Sequence, residues 1–286
     1  MGAPIVEDEL WALIEPLLPM PKPRRKKYPG RLPVANRAAL NGILFVLKTG
    51  IRWRDLSTKL GFGSGSTCWR RLRDWQKAGV WKRLHELLLA KLREAGELDF
   101  SRAAVDSSSV RAVGAGGKTG PNPTDRARPG SKHHILVDAN GVPVSAILTG
   151  ANRNDVTQLL PLVDAIPPIR GVRGRPLQKP KVIYADRGYD SETHRQKLRK
   201  RGINPVIAKR RTEHGSGLGK FRWVVERTHA WLHNFRRLRI RFEHRADIHE
   251  AFLKLGCSLV CWNIFQTDGA AFLNPSLMQS STQCRQ

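Results

Sequence analysis

Asp106, Asp186 and Glu226 are the residues of this 286-residue chain whose placement could do chemistry. Asp106 follows the apolar run Ala103-Ala104-Val105, and Asp186 follows Val182-Ile183-Tyr184-Ala185. Glu226 stands in KFRWVVERTHAWLHNFRRLRIRFE (220–243), where Phe221, Val224, Val225, Trp231, Leu232, Phe235 and Leu238 recur at helical spacing. A second face of that stretch carries Arg222, Glu226, His229, His233 and Arg237, which project together. A lone carboxylate among cations is poorly placed for a salt-bridged surface and well placed as a metal ligand beside phosphates. Carboxylates leaving strand ends and a facing helix can converge over one edge of an α/β sheet. Three clustered anions need compensation, and a hard cation such as Mg²⁺ or Mn²⁺ supplies it. Two such ions, about 3.5–4 Å apart, activate a water or a 3′-hydroxyl and stabilise the leaving oxygen of an in-line displacement at phosphorus. Each acid also has a plain structural reading. Asp106 can be a turn residue before Ser107-Ser108-Ser109, Asp186 a helix cap, and Glu226 a surface partner of Arg222 or Arg227.

Two other chemistries are weaker. His229 and His233, with Cys257 and Cys261, have the i, i+4 spacing of a zinc site on facing helices. The cysteines, however, lie in an apolar run, where Cys is usually a small core residue. Ser107 to Ser109 have no evident general base, and no G-x-S-x-G elbow is present.

The elements that must hold the acids follow from periodicity. Helices are expected at 6–18, 34–48 and 81–95. Between the last two, residues 53–81 parse as a short helix, a Gly-rich turn and a helix opened by Ser64 or Ser66, the layout of a helix-turn-helix. Arg70, Arg71 and Arg73, with Lys77, form the basic side of its second helix and are expected to lie against DNA. Residues 19–30 read as a basic, Pro-rich linker. After Gly96 the period changes. Strands are expected at 103–110, 133–138, 142–148, 181–190 and 204–208, with Asn140-Gly141 as a hairpin turn. Helices are expected at 155–165, 191–201 and 247–265, and 114–132 reads as a mobile loop. The fold class is therefore α/β, a mixed sheet with flanking helices preceded by a helical N-terminal domain. The domains are expected at 1–98 (DNA-binding) and 99–268 (catalytic), with a disordered tail at 269–286.

A formal net charge of +26 and a pI near 11.0 point to a polyanionic partner, most simply nucleic acid. A basic ribosomal-type protein is the alternative. Cys68, Cys257, Cys261 and Cys284 are too scattered for a disulfide framework. The first residues lack the basic and apolar regions of a signal peptide. The apolar stretch at 251–265 is interrupted by Lys254 and Asn263 and is too short to span a bilayer. A cytoplasmic, nucleoid-associated location and no membrane partner are expected.

Four strings carry a family resemblance: GIRWRDL (50–56), TGPNPTDRARPGSKHHILVDANGVPV (119–144), ADRGYD (185–190) and WVVERTHAWLHNFRRLRIRFE (223–243). Over roughly 10–265 the chain resembles bacterial insertion-sequence transposases of the DDE class, in insertion-sequence family five. The resemblance implies a ribonuclease-H-like catalytic fold and metal-dependent strand cleavage and strand transfer at terminal inverted repeats. It makes Asp106, Asp186 and Glu226 the three catalytic acids and metal ligands, binding two Mg²⁺ or Mn²⁺ ions. The family's last block runs Tyr, two residues, Arg, three residues, Glu, six residues, Lys. Arg222 and Glu226 match it, whereas Gly219 stands at the tyrosine and His233 at the lysine. Arg222, His233, Arg236 and Arg237 are expected to guide the DNA strand, and Lys132 with the preceding loop to close over it. Partners would be double-stranded DNA at transposon ends and target, in a homodimer or larger synaptic complex. A non-catalytic DNA-binding protein and a nuclease without strand transfer are the competing classes.

Overall fold

The computed structural model describes residues 5–20, 27–28, 30, 32–211 and 217–267. Most of the 19–30 linker and the 269–286 tail lie outside the described residues.

The N-terminal part is helical. Helix α1 (Asp8–Ile14) runs into a 3₁₀ turn at Glu15–Leu17, and α2 (Asn36–Thr49) buries Leu40, Ile43, Leu44 and Leu47. Gly50 ends α2 in the left-handed region (φ 75°), and its N–H donates to the Val46 carbonyl at 2.9 Å. The first helix expected in the helix-turn-helix is instead two 3₁₀ turns, Trp53–Asp55 and Thr58–Leu60. That stretch is too short and too interrupted by Gly61 and Gly63, both at positive φ, to propagate a helix. The second helix forms as expected. In α3 (Gly65–Lys77) the cap is Ser64, whose Oγ accepts from Thr67 N–H at 3.2 Å. Helix α4 (Val80–Glu94) follows after a turn at Gly79.

Among the described residues, seven strands form one mixed sheet. They are β1 (Ala103–Ala112), β2 (Gly120–Pro121), β3 (Pro129–Asp138), β4 (Pro143–Gly150), then, after α5 (Val156–Asp164), β5 (Val182–Ala185), and, after α6 (Glu192–Lys200), β6 (Asn204–Ile207). The chain continues through α7 (Gly219–Asn234), α8 (Arg236–Arg239), the short β7 (Ile240–Arg241) and α9 (Ala246–Thr267). β1, β3 and β4 are antiparallel neighbours, while β5 lies parallel to β1 and β6 parallel to β5. This is the mixed α/β class that the sequence implies. The Asn140-Gly141 hairpin forms as expected, with Gly141 at φ 85°.

β1 is flanked on its second edge by two different strands. β5 pairs with Ala103 and Ala104, and β7 pairs with Arg111 and Ala112. The edge of β1 between them lies under α7.

Two further expectations are corrected. The segment 114–132 is not a free loop, because its end is strand β3 and its start is fastened by Arg241. That guanidinium, fully buried, donates to the carbonyls of Gly117 (2.7 Å) and Lys118 (3.1 Å) and to Ser131 Oγ (2.7 Å). The expected continuous helix through 243 also breaks. Phe235 is extended (ψ 104°), and residues 240–241 join the sheet. Apolar spacing persists across the break, so local pattern cannot reveal it, and pairing with β1 overrides it.

One continuous core joins the helical part to the sheet. Leu84, Leu88 and Leu92 of α4 belong to the same buried cluster as Leu255, Val260 and Cys261 of α9. The Trp53 ring stacks on Phe252 of α9 at 5.8 Å. His85 Nε2 lies 2.7 Å from the carbonyl of Pro143, at the start of β4. Among the described residues no helix is long and apolar enough to cross a membrane.

Candidate active site

Three elements bring the acids towards one another. Asp106 is held in β1 by pairing opposite Ile135 of β3, with buried Ala103, Ala104 and Val105 before it. β1 and β5 pair Ala103 with Ile183 and Ala104 with Tyr184. Continued past the end of β5, that register brings Asp186 level with Asp106 on adjacent strands, whose usual spacing is about 4.8 Å. Asp186 begins a 3₁₀ turn, and its Oδ1 accepts from Gly188 N–H at 2.9 Å. Arg210 braces the same turn, donating to the carbonyls of Arg187 (2.9 Å) and Gly188 (3.2 Å).

Helix α7 lays a polar stripe along the open edge of β1. Arg222 Nη2 lies 3.8 Å from Asp106 Oδ1, and His233 Nε2 lies 3.4 Å from Ser108 Oγ. Glu226 stands one turn beyond Arg222 on that stripe and is exposed.

The Asp106 carboxyl reports the convergence. Burial pushes its pKa up to about 6, the negative charges of Asp186 and Glu226 add to the rise, and Ser107 N–H and Arg222 oppose it. Acids on a strand, a turn and a helix thus share one electrostatic neighbourhood. Among the described residues, no three His, Cys, Asp or Glu side chains are already gathered as a closed ligand set. Among the described residues, the ionic partner of Asp106 is instead the Arg222 guanidinium. The donor set fits a hard divalent cation. It consists of carboxylate oxygens, and burial and mutual repulsion make one of them costlier to ionise, a cost that a bound cation would relieve.

The basic residues divide. Arg70 is exposed and Arg71 half-exposed on α3, and Arg236 is exposed at the start of α8. Arg73 is committed locally, to Asp74 at 2.8 Å. His233 is half-buried, and its pKa is lowered by burial and then by Arg239, so it is a neutral hydrogen-bonding group at ordinary pH. Lys132 lies in β3, with its Nζ 2.9 Å from Asp155 Oδ1 and 3.0 Å from the Arg153 carbonyl. Arg237 requires a correction. It is buried, bonds Glu243 at 3.0 Å and donates to the Ile51 carbonyl. Its charge is spent inside the protein, between the GIRWRDL segment and α8, and does not face a DNA strand. The break at Phe235 takes it off the stripe that Glu226 occupies.

Residues 98–263 match the family model described as "Transposase DDE domain". That is more than half of the chain. The chain belongs to the DDE transposase family. DNA transposase function, and an enzyme's activity, follow from that membership. Residues 6–85 match a second model, "Putative transposase of IS4/5 family". A relative from Burkholderia cepacia, "Putative transposase for insertion sequence element IS402", is 84% identical over 146 residues, covering 51% of this chain and 69% of the relative. A second protein of that organism, "Insertion element IS402 uncharacterized 16.2 kDa protein", is 77% identical over 123 residues, covering 43% of this chain and 84% of its own. Among solved structures, the piggyBac transposase synaptic complex with hairpin DNA gives a TM-score of 0.48 at 10% identity, covering 92% of this chain and 71% of that one.

The sequence reading missed a second layer beside the acids in this DDE transposase. Asp155, just before α5, accepts from Ser107 Oγ at 2.8 Å and from Lys132. Tyr189 is buried, and its hydroxyl pKa is raised well above the ordinary value by burial and then by Asp155, Asp106 and Asp186. In sequence Asp155 reads as a helix start. The available signal was its place shortly after the end of β4, where a third strand delivers a carboxylate to the same side of the sheet.

Proposed function

We propose that this transposase cuts DNA at the terminal inverted repeats of an insertion sequence and joins the freed ends to target DNA, with Asp106, Asp186 and Glu226 as its catalytic acids and metal ligands. The observation that carries this reading is the β1–β5 register that sets Asp186 level with Asp106, with α7, which bears Glu226, reaching Asp106 through Arg222 at 3.8 Å. DDE membership implies divalent metal use; the reading here is two Mg²⁺ or Mn²⁺ ions. Such ions supply activation of a water or 3′-hydroxyl and stabilisation of the leaving oxygen.

The chain's own residues do the rest. Asp106, with a pKa near 6, is largely ionised at neutral pH and can meet incoming positive charge as a carboxylate. Arg222, the cation beside Asp106, is available to exchange that carboxylate for a phosphate oxygen. Arg236 and, on α3, Arg70 and Arg71 neutralise backbone phosphates further along the DNA. His233 offers the strand a neutral hydrogen-bonding group in place of the family's lysine. Two ends must be joined in one event, so the working form is a dimer or larger synaptic complex on DNA, consistent with a nucleoid-associated protein.

The test is the full chain with terminal-repeat DNA, a target plasmid and Mg²⁺. Joined products are the expected result. Nicks without joining would assign a nuclease, and shifted but uncut DNA a non-catalytic DNA-binding protein. Asp106→Asn, Asp186→Asn and Glu226→Gln should each lower the rate by about a thousandfold or more, with DNA affinity retained.

A further inference from the structure

We propose that Asp155 is a positioning residue that fixes the Lys132 ammonium beside the acid cluster, where Lys132 takes a phosphate oxygen of the DNA being cut. This rests on reading Asp106, Asp186 and Glu226 as the catalytic acids.

One oxygen of Asp155 joins two strands. Oδ1 accepts from Ser107 Oγ at 2.8 Å, next to Asp106 on β1, and from Lys132 Nζ at 2.9 Å on β3. The other oxygen faces the turn that carries Asp186. A Cβ placed on Gly188 would lie 2.9 Å from Asp186 Oδ1 and 3.7 Å from Asp155 Oδ2, so both carboxylates border that glycine. Asp155 thus touches the segment bearing the first acid and borders the segment bearing the second.

Lys132 is held rather than free. Its side chain is 12% exposed, and Nζ also donates to the Arg153 carbonyl at 3.0 Å. An ammonium has three donors, and two are used here. The third has no acceptor among the described residues and is available to an incoming oxygen. A lysine stem is flexible, so an ammonium fixed beforehand loses less freedom when phosphate arrives. The pair also offsets the Asp155 charge in a site that must accept polyanionic DNA.

The experiment compares Asp155→Asn, Asp155→Glu, Lys132→Met and the double variant Asp155→Asn/Lys132→Met in single-turnover cleavage of terminal-repeat DNA. DNA affinity is measured with Ca²⁺, melting temperature is recorded, and Lys132 acetylation by acetic anhydride is read by peptide mass spectrometry. Expected are losses of about 10- to 100-fold in rate for Asp155→Asn and for Lys132→Met at saturating DNA. The double variant should be no slower than the slower single, because the two act as one unit. Asp155→Glu should recover part of the rate, DNA affinity should hold within about threefold, and Lys132 should acetylate faster in Asp155→Asn than in the wild type. Independent, multiplying losses, or unchanged Lys132 reactivity, would overturn the proposal. A wild type that cuts nothing, or an Asp106→Asn variant that still cuts, would instead sink the reading of Asp106, Asp186 and Glu226 as the catalytic acids, on which the role of Lys132 depends.

Discussion

At the residue scale, the acids set the pH behaviour. Asp106 has a pKa near 6, raised from an ordinary 3.8. A raised acid holds its proton more tightly folded than unfolded, so ionising it costs stability. That cost is absent below about pH 4, grows between about 4 and 6 and is constant above. Asp106→Asn should therefore raise stability at pH 7–8 by up to about 3 kcal/mol, with the gain vanishing towards pH 4; melting curves across pH check this. Metal binding must displace the same proton. Mg²⁺ or Mn²⁺ affinity should climb about tenfold per pH unit below 6 and flatten above, as titration calorimetry would read. Arg237 behaves oppositely. Removing it leaves Glu243, itself buried, without its guanidinium, so Arg237→Ala should cost about 3–5 kcal/mol in denaturant unfolding. Asp106, Asp186 and Glu226 were legible because each interrupts a clear apolar pattern. Asp155 was not, because its contacts with Ser107 and Lys132 exist only once β1, β3 and the end of β4 are side by side.

At the element scale, local signals served well where they were strong. Ser64 as a cap, Gly50 as a stop and Asn140-Gly141 as a hairpin turn all act as their chemistry dictates. They failed where tertiary pairing decided. Phe235 and Leu238 continue the helical period of α7, yet the chain turns out so that 240–241 can pair beside β1. That break separates Glu226 and His233 from Arg237, which is why one expected DNA contact became an interior ion pair. Gly65 shows packing reversing a propensity. Alanine is normally favoured over glycine inside a helix by about 1 kcal/mol. Here a Cβ would sit 1.7 Å from the Trp53 carbonyl oxygen. Gly65→Ala should accordingly destabilise by at least about 2 kcal/mol, seen as a lower melting temperature and a loosened contact between α3 and the Trp53–Asp55 turn.

At the scale of the whole molecule, charge and a shared core govern behaviour. With a formal charge of +26, DNA affinity should fall steeply with salt. Arg70→Ala and Arg71→Ala should each reduce the slope of log K against log salt by about one, whereas Arg237→Ala should leave the slope unchanged. The core runs without interruption from α2–α4 into α9 and the sheet, so the helical part and the catalytic part should melt in one transition. Periodicity gave the order of these parts, but it could not show that they share a core, because the packing of α4 on α9 joins residues far apart in the chain. The central claim is that three acids from β1, the turn after β5 and α7 share divalent ions. Its most direct test is anomalous scattering from crystals of the full chain grown with DNA and Mn²⁺. Manganese is expected within about 2.2 Å of carboxylate oxygens of Asp106, Asp186 and Glu226. Ordered manganese elsewhere, with these three side chains binding none, would contradict it.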